Sequence, residues 1–216
     1  MTRVPGAGEP LRFRDRADAA GQLAVRLAPY RTAGPVVLAI PRGAVPMGRV
    51  IADALGADLD VALVHKVGAP GQPEFAVGSV DESGHVVINP EADRLGLDRE
   101  GLVQAALREI GVLRERRRRY GAARVPLADR VVILVDDGIA TGSTMLAAIR
   151  AVRAARAARV VVATAVAPPE TVTRLAAAAD DVVCLRAPAG FAAVGQFFDD
   201  FPQVSDDEVI AALGRT

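Results

Sequence analysis

The sequence predicts an α/β protein with a doubly wound central parallel sheet and a small hood or flap. Three observations carry this expectation. Short, almost wholly apolar runs recur at residues 36–40, 131–135, 159–166 and 181–185, as expected of strands buried on both faces. Helical patterns fill the gaps in the second half, and βα alternation implies parallel strands joined by right-handed crossovers. Finally, 51% apolar and 24% charged residues in 216 describe a globular chain long enough to bury a core without staples.

Each element has its own signal. Residues 15–29 repeat apolar positions at helical spacing, with Asp15 as the expected N-cap. Gly34-Pro35 breaks the chain before the strand at 36–40. A helix then runs to Leu55, with Val45, Val50, Ile51 and Leu55 as candidate core residues. Residues 58–67 read as one further strand, and residues 68–73 as a loop with little intrinsic order. Residues 77–89 suggest a hairpin turning at Asp81-Glu82-Ser83-Gly84. Residues 98–120 form a long helix with Leu102, Ala106, Ile110 and Leu113 on one face. Strands at 131–135, 159–166 and 181–185 alternate with helices at 143–155, 169–178 and 205–213. The chain is read as one domain over residues 1–216. Within it, residues 68–124 insert a flexible loop, hairpin and long helix, and residues 186–204 form a hood.

Lys+Arg and Asp+Glu both number 26, so the overall balance calls for neither nucleic acid nor an anionic membrane. Cys184 is the only cysteine, which excludes an internal disulfide and fits a reducing compartment. Arg3, Arg12, Arg14, Asp15, Arg16 and Asp18 leave no apolar signal core near the start, and no run reaches the length of a membrane span. The expected location is the cytoplasm, and a homodimer is the expected assembly.

The strongest motif is Val131-Val132-Ile133-Leu134-Val135-Asp136-Asp137-Gly138-Ile139-Ala140-Thr141-Gly142-Ser143-Thr144-Met145. A buried strand ends in two carboxylates, and a small, hydroxyl-rich turn opens a helix. Backbone N–H groups from Ala140 to Thr144, with the hydroxyls and the positive end of the helix, make a phosphate cradle needing no cationic side chain. Asp136 and Asp137 would repel a phosphate but can accept hydrogen bonds from a sugar diol. No G-x-G-x-x-G follows a strand, which argues against a dinucleotide fold. The sole lysine lies upstream of the acids, which argues against a phosphate-transfer receiver domain.

This stretch resembles the signature of type I phosphoribosyltransferases. The resemblance spans most of residues 35–204 and is specific at this motif. It implies that Asp136 and Asp137 hold the ribose hydroxyls of phosphoribosyl pyrophosphate (PRPP). Ala140, Thr141, Gly142, Ser143 and Thr144 would hold its 5′-phosphate. Pro41, Arg42, Gly43 and Ala44 would form a pyrophosphate loop, with Arg42 on the leaving group and a cis bond between Pro41 and Arg42. Lys66 and Glu74 fall in the region of a mobile catalytic loop. Lys66 is the only lysine in an arginine-rich chain, at the apparent end of a strand, where a compact ammonium could meet pyrophosphate. Glu74 would face the nucleophile or be a solvated glutamate.

Four of six phenylalanines fall within residues 191–201. That segment resembles the base-stacking region of 6-oxopurine phosphoribosyltransferases, with Phe191, Val194 and Phe197 on the base side, or it packs as core. Asp199 falls where those enzymes carry a magnesium-linked acid, so Mg2+ is the implied cofactor. Two features depart from the hypoxanthine-type pattern: Ala140 stands where those enzymes have an acid, and Ala165-Val166-Ala167 lacks a base-reading lysine. The acceptor base stays open. The arginine-rich run from Arg114 to Arg119 reads as a solvated face or as a reach towards a neighbouring subunit's phosphate site. The implied reaction transfers ribose 5-phosphate from PRPP to a nitrogenous, purine-like base and releases pyrophosphate. The alternative is a non-catalytic module that binds PRPP or a nucleotide.

Overall fold

A computed structural model describes residues 2–3, 12–121 and 124–214, with the side chains of 2, 3, 73, 74, 90 and 91 outside the described set. Its centre is a parallel sheet ordered β1-β9-β8-β7-β2-β3. The strands are β1 (Thr2–Arg3), β2 (Val36–Ala39), β3 (Asp58–Val61), β7 (Val131–Asp136), β8 (Arg159–Val166) and β9 (Asp181–Arg186). A second, antiparallel sheet joins β4 (Val64–Ala69), β5 (Gln72–Asp81) and β6 (Val86–Ile88).

Both faces of the parallel sheet are covered, as its uniformly apolar strands require. Along β7, Ile133 and Val135 enter a core shared with helices α1 (Arg16–Leu27) and α2 (Ala44–Leu55). Their neighbours Val132 and Leu134 enter a second core with α5 (Ser143–Ala154) and α6 (Pro169–Ala176). Period-two alternation therefore divides one strand between two cores. The first core also takes in α4 (Arg99–Tyr120) and α7 (Asp206–Leu213). A short helix, α3 (Pro90–Arg94), precedes α4.

Local chemistry sets the boundaries. Asp15 caps α1 by accepting from the Asp18 N–H, and Asp98 caps α4 by accepting from the Glu100 N–H. Gly56 and Gly121 end α2 and α4 in the left-handed conformation that glycine adopts without a Cβ penalty.

Three expectations need correction. Residues 58–67 are not one strand. The chain leaves the parallel sheet after Val61 and enters the antiparallel sheet at Val64, within an apolar stretch that offers no breaking residue. Residues 68–73 complete the β4–β5 hairpin, with Gly71 at positive φ in its turn and register shifts around Gly68. Val50 is 36% exposed because the buried face of α2 is formed by Val45, Met47, Gly48, Ile51, Ala52 and Leu55. Among the described residues, no helix is long and apolar enough to cross a membrane.

Candidate active site

The site begins where β7 ends. The Ile139 N–H donates to the Val166 carbonyl at 2.9 Å, tying the turn after the acids to β8. Helix α6 then fixes the turn from outside: the Thr171 hydroxyl donates to the Ala140 carbonyl at 2.7 Å, and Arg174 donates to the Thr141 carbonyl at 2.7 Å. A trans peptide points its C=O and N–H in opposite directions. Anchoring those two carbonyls on α6 therefore turns the N–H groups of Thr141 and Gly142 away from it. Gly142 has φ 75° and caps α5 with no side-chain hydrogen bond, so the first-turn N–H groups of α5 have no side-chain acceptor at the cap. Ala140, Thr141 and Thr144 are exposed, and the Thr141 and Ser143 hydroxyls lie 3.3 Å apart. The turn is open on one side and braced by α6 on the other.

The two acids differ. Asp137 accepts from Arg16 Nε at 2.8 Å, and both side chains are largely buried. Arg16 also donates to the Pro202 carbonyl at 2.6 Å and lies over the Phe201 ring, 3.7 Å from its centroid. The Asp136 carboxylate accepts from the Asp137 N–H at 2.9 Å. Burial, reinforced by the neighbouring Asp137 charge, raises its pKa well above the ordinary carboxylate range. The pair thus combines one carboxylate held by a cation with one that resists ionisation.

The loop after β2 meets these acids directly. A Cβ at Gly43 would overlap the Asp137 carboxylate, so only glycine allows this approach. The Pro41–Arg42 bond is cis, as expected. Arg42 reaches towards Asp206 at 3.9 Å. From the hood, Val194 packs on Gly138 so closely that a Cβ there would collide with its side chain. The acid pair, the residue 41–44 loop and Val194 therefore converge.

Other expected residues stand elsewhere. Lys66 lies within β4 opposite Ser79, in the antiparallel sheet, not at the carboxyl end of a parallel strand. Glu74 belongs to β5, but its side chain lies outside the described residues. Phe197 is only 5% exposed and packs in the core, so it offers no stacking face. Phe191 is partly buried and meets Phe197 at 5.4 Å between ring centroids. Asp199 pairs with Arg12 at 2.9 Å, on an exposed part of the hood. Among the described residues, no group of three or more His, Cys, Asp or Glu is placed to hold a metal ion. Cys184 is buried, and burial pushes its thiol up to about 11, which excludes it as a nucleophile near neutrality.

The sequence reading missed Arg16, Thr171 and Arg174. Arg16 sits among Arg12 and Arg14, and nothing local distinguishes it. Thr171 and Arg174 stand three residues apart on the helix after β8, a spacing that puts them on one face. The cleft beside Arg42 has a volume of about 760 Å3. A smaller, largely apolar cavity of about 320 Å3 lies between residues 60–64 and the second half of α5, and contains neither the acid turn nor the residue 41–44 loop.

The phosphoribosyl transferase domain profile matches residues 12–195. The chain belongs to the phosphoribosyl transferase domain family. Two Mycobacterium tuberculosis proteins, from strains CDC 1551 / Oshkosh and H37Rv, are provisionally named as phosphoribosyl transferases. Each is 45% identical over 206 residues, covering 94% of this chain and 46% of the relative. The chain thus spans about half the length of these relatives. The crystal structure of TT1426 from Thermus thermophilus is 47% identical, has a TM-score of 0.86 and aligns over 94% of this chain and 97% of its own. In this phosphoribosyl transferase domain, residues 131–145 supply the strand, the acid pair and the turn that opens α5.

Proposed function

We propose that this domain binds PRPP and transfers its ribosyl phosphate to a nitrogen of a small, purine-like base. The new bond joins that nitrogen to the ribose anomeric carbon. The bond from that carbon to the diphosphate oxygen breaks, the diphosphate leaves with the electron pair, and the acceptor's N–H proton is released. The observation that carries this reading is the braced turn at residues 140–144, whose N–H and hydroxyl groups open beside two carboxylates. One phosphate and one adjacent diol fit that pattern together.

Asp136 and Asp137 accept from the ribose hydroxyls in this reading, and residues 41–44 face the diphosphate. Val194 and Phe191 flank the base side. Lys66 and Glu74, on the two strands of the β4–β5 hairpin, are the proposed loop-side groups. Catalysis is chiefly positioning and stabilisation of charge on the departing diphosphate. Asp136 and Asp137, at and just past the end of β7, would be the carboxylates to hold a magnesium ion beside the ligand's oxygens. Magnesium would supply charge neutralisation at the diphosphate. We place the reaction in the cytoplasm and the active form as a homodimer.

The test is pyrophosphate release from PRPP across a panel of purine and pyrimidine bases, with calorimetry of PRPP binding alongside. Turnover with one base class, and PRPP affinity reduced about tenfold or more by Asp136→Asn, is the expected result. PRPP binding without turnover on any base favours the regulatory-module alternative. Absence of PRPP binding rejects the donor assignment.

A further inference from the structure

The arginine run of α4 is not uniformly solvated. Arg117 turns inward, while Arg116 and Arg119 line the cleft beside Pro41 and Arg42. Three guanidinium groups from two distant segments therefore face one space. Two carboxylates also line it, and each is already engaged. Asp206 is shared by Arg119 at 2.9 Å, Arg42 at 3.9 Å and the Tyr120 hydroxyl at 3.3 Å. Glu115 pairs with Arg118 on the same helix. Arg116 makes no hydrogen bond or ion pair among the described residues, but it is close enough to act on the charge of the Tyr120 hydroxyl. Arg42, Arg116 and Arg119 are exposed or substantially so, and their donors can be reached by a solute.

We infer that Arg42, Arg116 and Arg119 form a diphosphate-binding subsite, with Asp206 as the internal anion that holds two of them until the ligand arrives. The inference rests on reading residues 41–44 as the leaving-group loop and adds α4 to it. A single phosphate could be met by one guanidinium. Three guanidiniums around a cleft of about 760 Å3 suit an anion with several oxygens spread over more than one centre. Asp206 helps explain how three like charges are tolerated around the cleft: its one negative charge is shared by two of them, as a carboxylate's is between arginines. An arriving diphosphate competes with Asp206 and leaves it to Tyr120 and the start of α7, where a negative charge is favoured. The diphosphate could be that of PRPP or free pyrophosphate, and the test separates them.

Calorimetric titrations use inorganic pyrophosphate, ribose 5-phosphate and PRPP, each with magnesium chloride. The proteins are wild type, Arg116→Ala/Arg119→Ala, Asp206→Asn and Arg108→Ala. Arg108 is an exposed arginine on α4 outside the cleft and controls for loss of general positive charge. The double variant is expected to bind pyrophosphate at least tenfold more weakly and to keep its ribose 5-phosphate affinity. Arg108→Ala should match wild type for both. Asp206→Asn should bind pyrophosphate more tightly, a gain that damage to the fold would not produce. If pyrophosphate affinity is unchanged in the double variant, or wild type binds no pyrophosphate, the subsite is overturned. If wild type binds pyrophosphate through these arginines but neither PRPP nor ribose 5-phosphate, the subsite stands and the donor assignment fails.

Discussion

Asp136 and Asp137 are chemically identical neighbours, yet the fold treats them in opposite ways. Asp137 pairs directly with Arg16, whereas Asp136 accepts from a backbone N–H, feels the Asp137 charge strongly and feels Arg16 more weakly. Burial and that charge raise the Asp136 pKa, so the folded state binds its proton more tightly than the unfolded chain does. Stability is therefore lost as pH rises from the ordinary carboxylate range through the raised value. Asparagine has nearly the same shape, can accept the same N–H and cannot ionise. Asp136→Asn is expected to melt above wild type at neutral pH, with the gap closing below the ordinary carboxylate range. Melting curves between acid and neutral pH check this, and parallel curves would remove the proposed ionisation cost. The same variant should lose PRPP affinity, so a more stable but weaker binder would mark Asp136 as retained for the ligand.

At the scale of elements, the hood meets the acid turn through Val194 and Gly138. Because a Cβ at Gly138 would stand 3.0 Å even from the Val194 Cβ, rotation of the valine cannot make room. Gly138→Ala is expected to cost about 1–3 kcal/mol, the usual range for overpacking a close contact. Adding Val194→Ala removes the two γ-methyl contacts but keeps the Cβ, so it should recover part of it, and urea unfolding of the four-member cycle measures the recovery. Equal cost with and without Val194 would mean that the turn is strained for another reason. This contact also marks where legibility ended. The acid turn, the long capped helix and the parallel strands were readable because their signals are local: apolar runs, caps and glycines. The break after Val61 was not, because the apolar stretch at 61–64 passes from one sheet to another without a turn residue. Arg16 was hidden for a related reason. Its partner lies 121 residues away, and neither the period of α1 nor its neighbours Arg12 and Arg14 distinguishes it.

Across the whole molecule, the Arg117 side chain bridges the two sheets. Arg117 donates to Asp60 and to the Val61 carbonyl on the edge of the parallel sheet, and to Glu82 beyond the end of β5 at 2.6 Å. Asp60 and Glu82 are buried, so removing the guanidinium leaves two carboxylates without their shared cation. Arg117→Ala is expected to destabilise the protein by about 3–5 kcal/mol, far more than Arg118→Ala on the exposed side of the same turn. Guanidinium chloride unfolding of both variants tests this, and similar losses would deny the bracing role. Arg117 and Arg119 are two residues apart, so the turn that braces the sheets also carries a wall of the anion cleft. An occupant of that cleft is expected to tighten a brace that ends at Glu82, two residues past the β5–β6 ladder at residues 78–80. Slowed amide exchange there would make the small sheet a remote gauge of whether the cleft is filled.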